Sequence, residues 1–228
     1  MTPDYKLQSY KDIIEHVKEN SLIIMPIGSI EQHCEAPLGT DSIIIEQIAK
    51  LVCSYLMNEY NEKCLVAPTI YYGHSPEWIN CPGTISLRAE TFKMLVEDII
   101  YSLVSAGFKR IILLNGHGGN SGLLDAIARE FSAYLHNITL LVIDYWKPAE
   151  LKLGHCDGLE SFFLRETIGK DIDCNCTKKI DLGKGHTRFT ATGTNPCGVK
   201  LVVEEERQPI SLEEVARRIV GVIIDALK

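Results

Sequence analysis

The sequence predicts an α/β fold, with a mostly parallel sheet covered by helices on both faces. Three observations point there. Four short apolar runs have the length of buried strands, the stretches between them repeat apolar residues at helical spacing, and the two kinds alternate along the chain. Strands that alternate with helices pair in parallel, because each return to the sheet needs a crossover long enough to hold a helix.

Residues 21–26 (SLIIMP) form the first strand, which gives way to Gly28. Residues 41–56 (DSIIIEQIAKLVCSYL) set apolar residues three and four apart, with Thr40 or Asp41 as the N-cap. Residues 64–70 (CLVAPTI) read as the second strand. Residues 90–106 are amphipathic and stop at Gly107, a residue suited to a left-handed helix end. Residues 110–114 (RIILL) make the third strand, followed by NGHGGNSG and a helical LLDAIAREFSAYL. Residues 138–145 (ITLLVIDY) make the fourth. Residues 159–168 read as a helix, and 211–227 as a closing helix with Ser211 as cap and Glu213 and Glu214 in its first turn. Residues 171–200, rich in Gly, Cys and Thr, show no clear period; one more strand is expected at 187–192. No linker or repeat divides residues 1–228, so a single domain is expected.

Bulk composition narrows the function. The net charge of −7 argues against a surface built for nucleic acid or an anionic membrane, which needs a basic face. A small-molecule substrate is the expected partner. The opening MTPDYKLQSYK lacks the apolar core of a secretion signal, and the apolar runs are too short to span a bilayer, so a cytoplasmic location is expected. Eight cysteines, at 34, 53, 64, 81, 156, 174, 176 and 197, are then expected as reduced thiols. Cys174 and Cys176 have no second close pair, so a structural zinc is not expected there.

In open parallel sheets, ligands collect beyond the carboxyl ends of the strands. Here those segments are GSIEQH, YYGHSPEW, NGHGGN and the loop leading to GHCDGLE, each with a histidine and a glycine or acid near it. Glu31 and His33, two apart on an extended segment, point to one side. With Asp41 they form an oxygen and nitrogen set suited to Zn²⁺, Mn²⁺ or Fe²⁺, or else a solvated, capped loop. His117 follows a strongly apolar strand, between glycines that let the backbone approach a bound group. The loop does not fit a phosphate cradle: Ser121 stands where GxGxxG needs its last glycine, and no Gly-Lys-Ser/Thr follows. His155 and Glu160 fall after the fourth strand, where they can converge with the others or simply cap a helix. His16, His74, His136 and His186 read as ordinary surface or loop histidines.

Four motifs in order, GSIEQH with LGTD, GHSPEWINCPGTISL, LLNGHGGN and GHCDGLES, with a weaker echo in GTNP (193–196), resemble the creatininase (creatinine amidohydrolase) family. The resemblance implies a three-layer α/β/α sandwich with a divalent-metal centre of one or two ions (Zn, Mn or Fe), assembled as a homo-oligomer, commonly a hexamer. By matching positions it implies metal ligation by Glu31, His33, Asp41 and His117, with Asp41 as the bridge and Glu160 as a further ligand. It also implies that His155 is the catalytic residue that moves protons at the reacting centre. Gly118, Gly119 and Trp78 are the expected substrate contacts.

The chain also departs from the family's pattern. Cys34-Glu35-Ala36 replaces a Gly-Pro-His triplet, and the loop before Asp41 is one residue shorter. Gly119 stands where creatininase itself has a metal-binding glutamate, so Glu160 or water is expected to compensate. Trp78 stands where relatives often have a histidine. These departures point away from creatinine. The expected activity is hydrolysis of a non-peptide C–N bond, in a cyclic amide or a formamide, by a metal-activated water. A narrower form is deformylation of a formamidopyrimidine nucleotide in flavin or deazaflavin biosynthesis, with Arg88, Lys184 and Arg188 as candidates to meet its phosphate. Two alternatives stand beside it. One is a non-catalytic maturation or binding member of the same family. The other is a nucleotide-binding α/β protein with phosphate on NGHGGN and ribose on Asp144.

Overall fold

The structure is a computed structural model that describes residues 3–152, 154–170, 172, 178–181, 199–202 and 210–228. In chain order its main elements are α1 (Tyr10–Lys18), β1 (Leu22–Ile27), α2 (Thr40–Glu59), β2 (Cys64–Val66), α3 (Ala89–Ala106), β3 (Arg110–Asn115), α4 (Ser121–Tyr134), β4 (Thr139–Asp144) and α5 (Gly158–Ile168). They are followed by β5 (Lys178–Asp181), β6 (Val199–Val202) and α6 (Leu212–Ala226). The first four strands form one parallel sheet in the order β2-β1-β3-β4, and β5 pairs with β6 in a second parallel sheet.

Strand residues alternate strictly between two cores, as the two-residue period of a pleated strand demands. Leu22, Ile24, Ile112 and Leu114 face one way, against Ile45 and Ile48 of α2, Phe163 of α5 and Ile219 of α6. Ile23, Met25, Ile111 and Leu113 face the other, against Phe92 and Val96 of α3 and Ile127 of α4. This makes the expected three-layer sandwich. It also explains why the strand runs are apolar at every position instead of every second one. Each such side chain removed from water contributes about 1.5–3 kcal/mol.

Topology then places the site. The chain leaves β1 through α2 to reach β2 on one side, and returns through α3 to β3 on the other side of β1. Connections from β1 and to β3 thus run in opposite directions, and the crevice between the two strand ends is the switch point where such sheets bind ligands. The register keeps those ends level, with Ile27 beside Asn115 and Asn115 beside Asp144. Gly28 draws the loop inward: a Cβ there would stand 2.5 Å from Ser42 Cα, so only glycine lets the end of β1 rest on the first turn of α2.

Several expectations need correction. Gly39, not Thr40 or Asp41, occupies the N-cap position of α2 and makes no side-chain cap; the Asp41 carboxylate is used elsewhere. The second strand ends at Val66 instead of running to residue 70, since Pro68 offers no N–H to a neighbour; Ile70 keeps only an isolated bridge to Ile27. The cysteines are not all reduced thiols. Packing of α2 against β2 brings Cys53 and Cys64 to a Cα–Cα distance of 5.6 Å and they are bonded; Cys34 and Cys81 are disulfide-bonded as well, and Cys156 is a buried thiol that donates to the His33 carbonyl at 2.9 Å. The strand expected at 187–192 lies outside the described residues, as do Lys184, His186, Arg188, Cys174, Cys176, Cys197 and residues 193–196. Among the described residues no helix is long and apolar enough to cross a membrane.

Candidate metal centre

Four segments deliver the polar groups. The loop after β1 carries Glu31 and His33, the first turn of α2 carries Asp41, the loop after β3 carries His117, and the segment entering α5 carries His155 and Glu160. All six are buried, between 1% and 6% exposed. Glu31 and His33 sit on irregular backbone instead of a strand, yet both side chains turn into the crevice.

Asp41 is the hub. Its Oδ1 lies 3.4 Å from His33 Nε2 and its Oδ2 lies 3.0 Å from His117 Nδ1. Glu160 Oε2 stands 3.7 Å from His33 Nε2, and Glu31 Oε2 stands 3.4 Å from His117 Nε2. The other Glu31 oxygen, Oε1, is 3.3 Å from His155 Nδ1. Three overlapping triads result, each with one donor atom per residue within 4.8 Å of the others: Glu31–Asp41–His117, His33–Asp41–Glu160 and Glu31–His33–His155.

The electrostatics of the cluster are those of a cation site. Burial opposes charge on the His33 ring, but Asp41 and Glu160 outweigh it and hold its pKa well above the usual range. Burial likewise opposes protonation of His117, and Glu31 with Asp41 nonetheless push its pKa up to about 9. In turn, burial would raise the Asp41 carboxyl, yet His33 and His117 hold it far below the carboxylate range. Glu31 is also held low, by His117 and His155 against its own burial. A field strong enough to keep two buried imidazoles charged also favours a divalent cation.

The residues fit such an ion. Glu31 Oε2 and His33 Nε2 are buried without any hydrogen-bond partner, which is costly for polar atoms unless something else satisfies them. Carboxylates with imidazoles are the donor set of Zn²⁺, Mn²⁺ and Fe²⁺ sites. A family model described as creatininase, creatinine amidohydrolase, matches residues 6–166.

The chain belongs to the creatininase family. Among its relatives, 3-dehydro-scyllo-inosose hydrolase of Thermotoga maritima is 35% identical over 116 residues, covering 50% of this chain and 35% of that protein. Mycofactocin precursor peptide peptidase of Mycobacterium tuberculosis is 39% identical over 107 residues, covering 45% of this chain and 42% of that protein. The chain thus spans less than half the length of these curated relatives. A crystal structure of creatinine amidohydrolase (creatininase) superposes with a TM-score of 0.76 at 20% identity, covering 98% of this chain and 97% of that one. At that identity the likeness bears on the fold.

Against the creatininase pattern, Gly119 is informative. A Cβ there would lie 2.2 Å from the His74 carbonyl oxygen and 2.5 Å from His117 Nε2, so no side chain fits at this position. Glu160, the acid expected to compensate, lies in the first turn of α5, where Asp157 caps the helix; its Oε2 accepts from the Cys156 N–H and stands 3.7 Å from His33 Nε2. Trp78 is buried and lies flat on His155, with ring centroids 4.6 Å apart and planes 13° apart. Gly118 and Gly119 are half-buried beside His117.

Other candidates are accounted for differently. Asp144 accepts hydrogen bonds from Asn115 and Ser121 and pairs with Lys147, which commits the carboxylate that a nucleotide-binding reading assigned to ribose. Arg88 is exposed at the start of α3. His74 is not in the triads but supports them, since its backbone carbonyl lies 3.1 Å from His117 Nε2. His16 pairs with Ser21, and His136 is exposed.

Sequence patterns missed the supporting shell. Ser29 donates to Asp41 Oδ2 at 2.7 Å, and Ser75 Oγ lies 3.2 Å from His117 Nε2. Gln32 reaches His155 Nε2 at 2.8 Å. Asn115, fully buried, accepts from the His117 N–H and donates to the His117 carbonyl, to Ser121 and to Asp144, so it fixes the loop that presents His117. Glu77 is half-buried; burial, and then the nearby charge of Glu31, push its carboxyl pKa up. Position beside a ligand motif was the one available signal for Ser29, Gln32 and Asn115.

Proposed function

We propose that the chain is a metal-dependent amidohydrolase that cleaves a small non-peptide C–N bond, in a cyclic amide or a formamide. The observation that carries the reading is the sharing of Asp41 between two buried triads, Glu31–Asp41–His117 and His33–Asp41–Glu160. These residues would hold one or two Zn, Mn or Fe ions, Asp41 being common to both triads. A divalent metal bound there supplies Lewis acidity and water that ionises near neutral pH.

The chain's own groups do the rest. Hydrolysis of an amide leaves a nitrogen that needs a proton, and His155 is the residue we assign to carry it, because an imidazole can both accept and donate a proton and this one is buried in the crevice beside Glu31. Glu31 beside its Nδ1 stabilises the charged ring, as a carboxylate does behind a catalytic histidine. Trp78, stacked flat on the ring, keeps its plane fixed. The Gly118 backbone beside His117 is the contact we assign to the substrate, since at Gly119 the space for a side chain is already taken by the His74 carbonyl and the His117 ring.

Cys34-Glu35-Ala36 in place of Gly-Pro-His reshapes the loop over the site, which argues for a substrate other than creatinine. The narrower form of the proposal is a formamidopyrimidine-nucleotide deformylase, with Arg88 as the described candidate for the phosphate. A second reading has its own support: one relative is named a peptide peptidase, so a peptide bond is the alternative substrate. In either case we expect a homo-oligomer, tested by its mass in solution.

The test is a substrate panel. Protein purified without oxygen and loaded with zinc, manganese or ferrous iron is given cyclic amides, formamides and short peptides, and release of amine or formate is followed. Turnover of a cyclic amide or formamide supports the first reading. Cleavage of peptides alone supports the second. Metal retention with no turnover on any of them moves the chain to a binding or maturation role.

A further inference from the structure

We propose that Gln32 is a positioning residue that fixes which nitrogen of His155 carries the proton. Gln32 is 5% exposed, and its Nε2 lies 2.8 Å from His155 Nε2. Its Oε1 accepts from the backbone N–H of Cys34 at 3.3 Å. That second contact decides how the amide is turned. A backbone N–H can only donate, so the oxygen must face Cys34 and the NH₂ must face the ring. Cys34 itself is held at φ 52°, in the left-handed region, which turns its N–H back toward Gln32.

An NH₂ group can only donate, so His155 Nε2 must present a lone pair to it. The ring proton then sits on Nδ1. That nitrogen faces Glu31 Oε1 at 3.3 Å, and a carboxylate oxygen is the acceptor such an N–H needs. A proton on Nε2 instead would set two donors against each other at 2.8 Å and two acceptors against each other at Nδ1. Trp78 stacked on one side of the ring, and the His33 ring 4.3 Å away, prevent His155 from flipping to escape. The two Glu31 oxygens are thereby separated: Oε1 receives His155 Nδ1–H, and Oε2 has no hydrogen-bond partner and is left for the metal side of the site.

A consequence for turnover rests on the amidohydrolase reading. Nε2 is the basic atom, so it takes the proton from the attacking water, and the same proton passes to the leaving nitrogen. Nδ1–H remains with Glu31 throughout. The Gln32 amide N–H marks at Nε2 the place where a proton donor meets the ring.

The tautomer can be read directly by NMR of the histidine ring nitrogens in ¹⁵N-labelled protein, metal-free and zinc-loaded, with His155→Gln identifying the signals. The expected wild-type spectrum has the His155 proton on Nδ1 and a lone-pair nitrogen at Nε2 in both forms. Gln32→Met removes the donor and gives an average of the two tautomers. Gln32→Glu puts an acceptor at the same place and moves the proton to Nε2. Both variants keep wild-type metal content, and kcat falls about 10–100-fold, as for residues that orient site groups. A wild-type ring protonated on Nε2, or a Gln32→Glu spectrum identical to wild type, overturns the proposal. If no amide in the panel is turned over, the amidohydrolase reading fails while the tautomer result stands on its own.

Discussion

Glu160 Oε2 lies 3.7 Å from His33 Nε2, although one residue comes from α5 and the other from the loop after β1. That relationship is how this chain completes a second triad. The tight contact of Gly119 with the His74 carbonyl leaves no space for a side chain at position 119, and the acid that faces His33 stands on α5 instead.

Glu160→Ala should therefore lower affinity for the second ion by more than about 100-fold, beyond the loss seen when only a supporting residue is changed. Elemental analysis of the dialysed protein reads this. Adding Gly119→Glu should not restore the metal, because the Cβ itself collides before the carboxylate can be placed. Recovery of metal in the double variant would show that the loop can open.

Stability of the metal-free protein should depend on pH with a definite sign. His117 has its pKa raised from 6.5 to about 9 in the folded state, so folding favours its protonated form. The resulting stabilisation is complete below pH 6.5 and is lost as pH rises through about 9. The melting temperature of metal-free protein should fall across that interval. Metal-loaded protein should not show the fall, since ligation uses deprotonated rings. Metal binding at neutral pH should also expel protons, measurable by calorimetry in buffers of different ionisation enthalpy. A flat melting profile without metal contradicts this picture.

Asn115 should matter more than its position on a strand end suggests. Asn115→Leu strands the buried N–H of His117 and removes one of the hydrogen bonds to the Asp144 carboxylate, at a cost of about 1–3 kcal/mol. Chemical denaturation should show that loss, and metal affinity should drop with it because His117 is no longer held.

A core change gives the contrast. Ile48→Ala, fully buried between α2 and the sheet, should cost about 2–5 kcal/mol while leaving metal content unchanged. If metal is lost there too, the site depends on global packing more than on its own hydrogen bonds.

Much of this was readable in advance, for physical reasons that differ by residue. Runs such as LIIMPI and RIILLN announce strands because both faces are buried, and the segments after them carried Glu31, His33, His117 and Glu160. Asp41 was legible as a candidate ligand through its motif but misread as a cap, since a short acid at a helix start can serve either purpose; Ser29, His33 and His117 around it show that its carboxylate turns into the cluster. Gln32 carried no signal beyond its place between two motif residues, because a glutamine has no charge to mark it and its partner His155 lies far along the chain. The strand order and the Cys53–Cys64 bond were hidden for a common reason. Local patterns specify elements, whereas pairing depends on how α2 and α3 cross the sheet.

The most direct test is the metal content of protein purified without oxygen and dialysed, measured beside Asp41→Asn. The wild type is expected to keep at least one divalent ion per chain, and Asp41→Asn to lose it, because both triads share that carboxylate. A wild type that holds no divalent ion, or an Asp41→Asn variant that keeps the wild-type content, would contradict a metal centre built on Asp41.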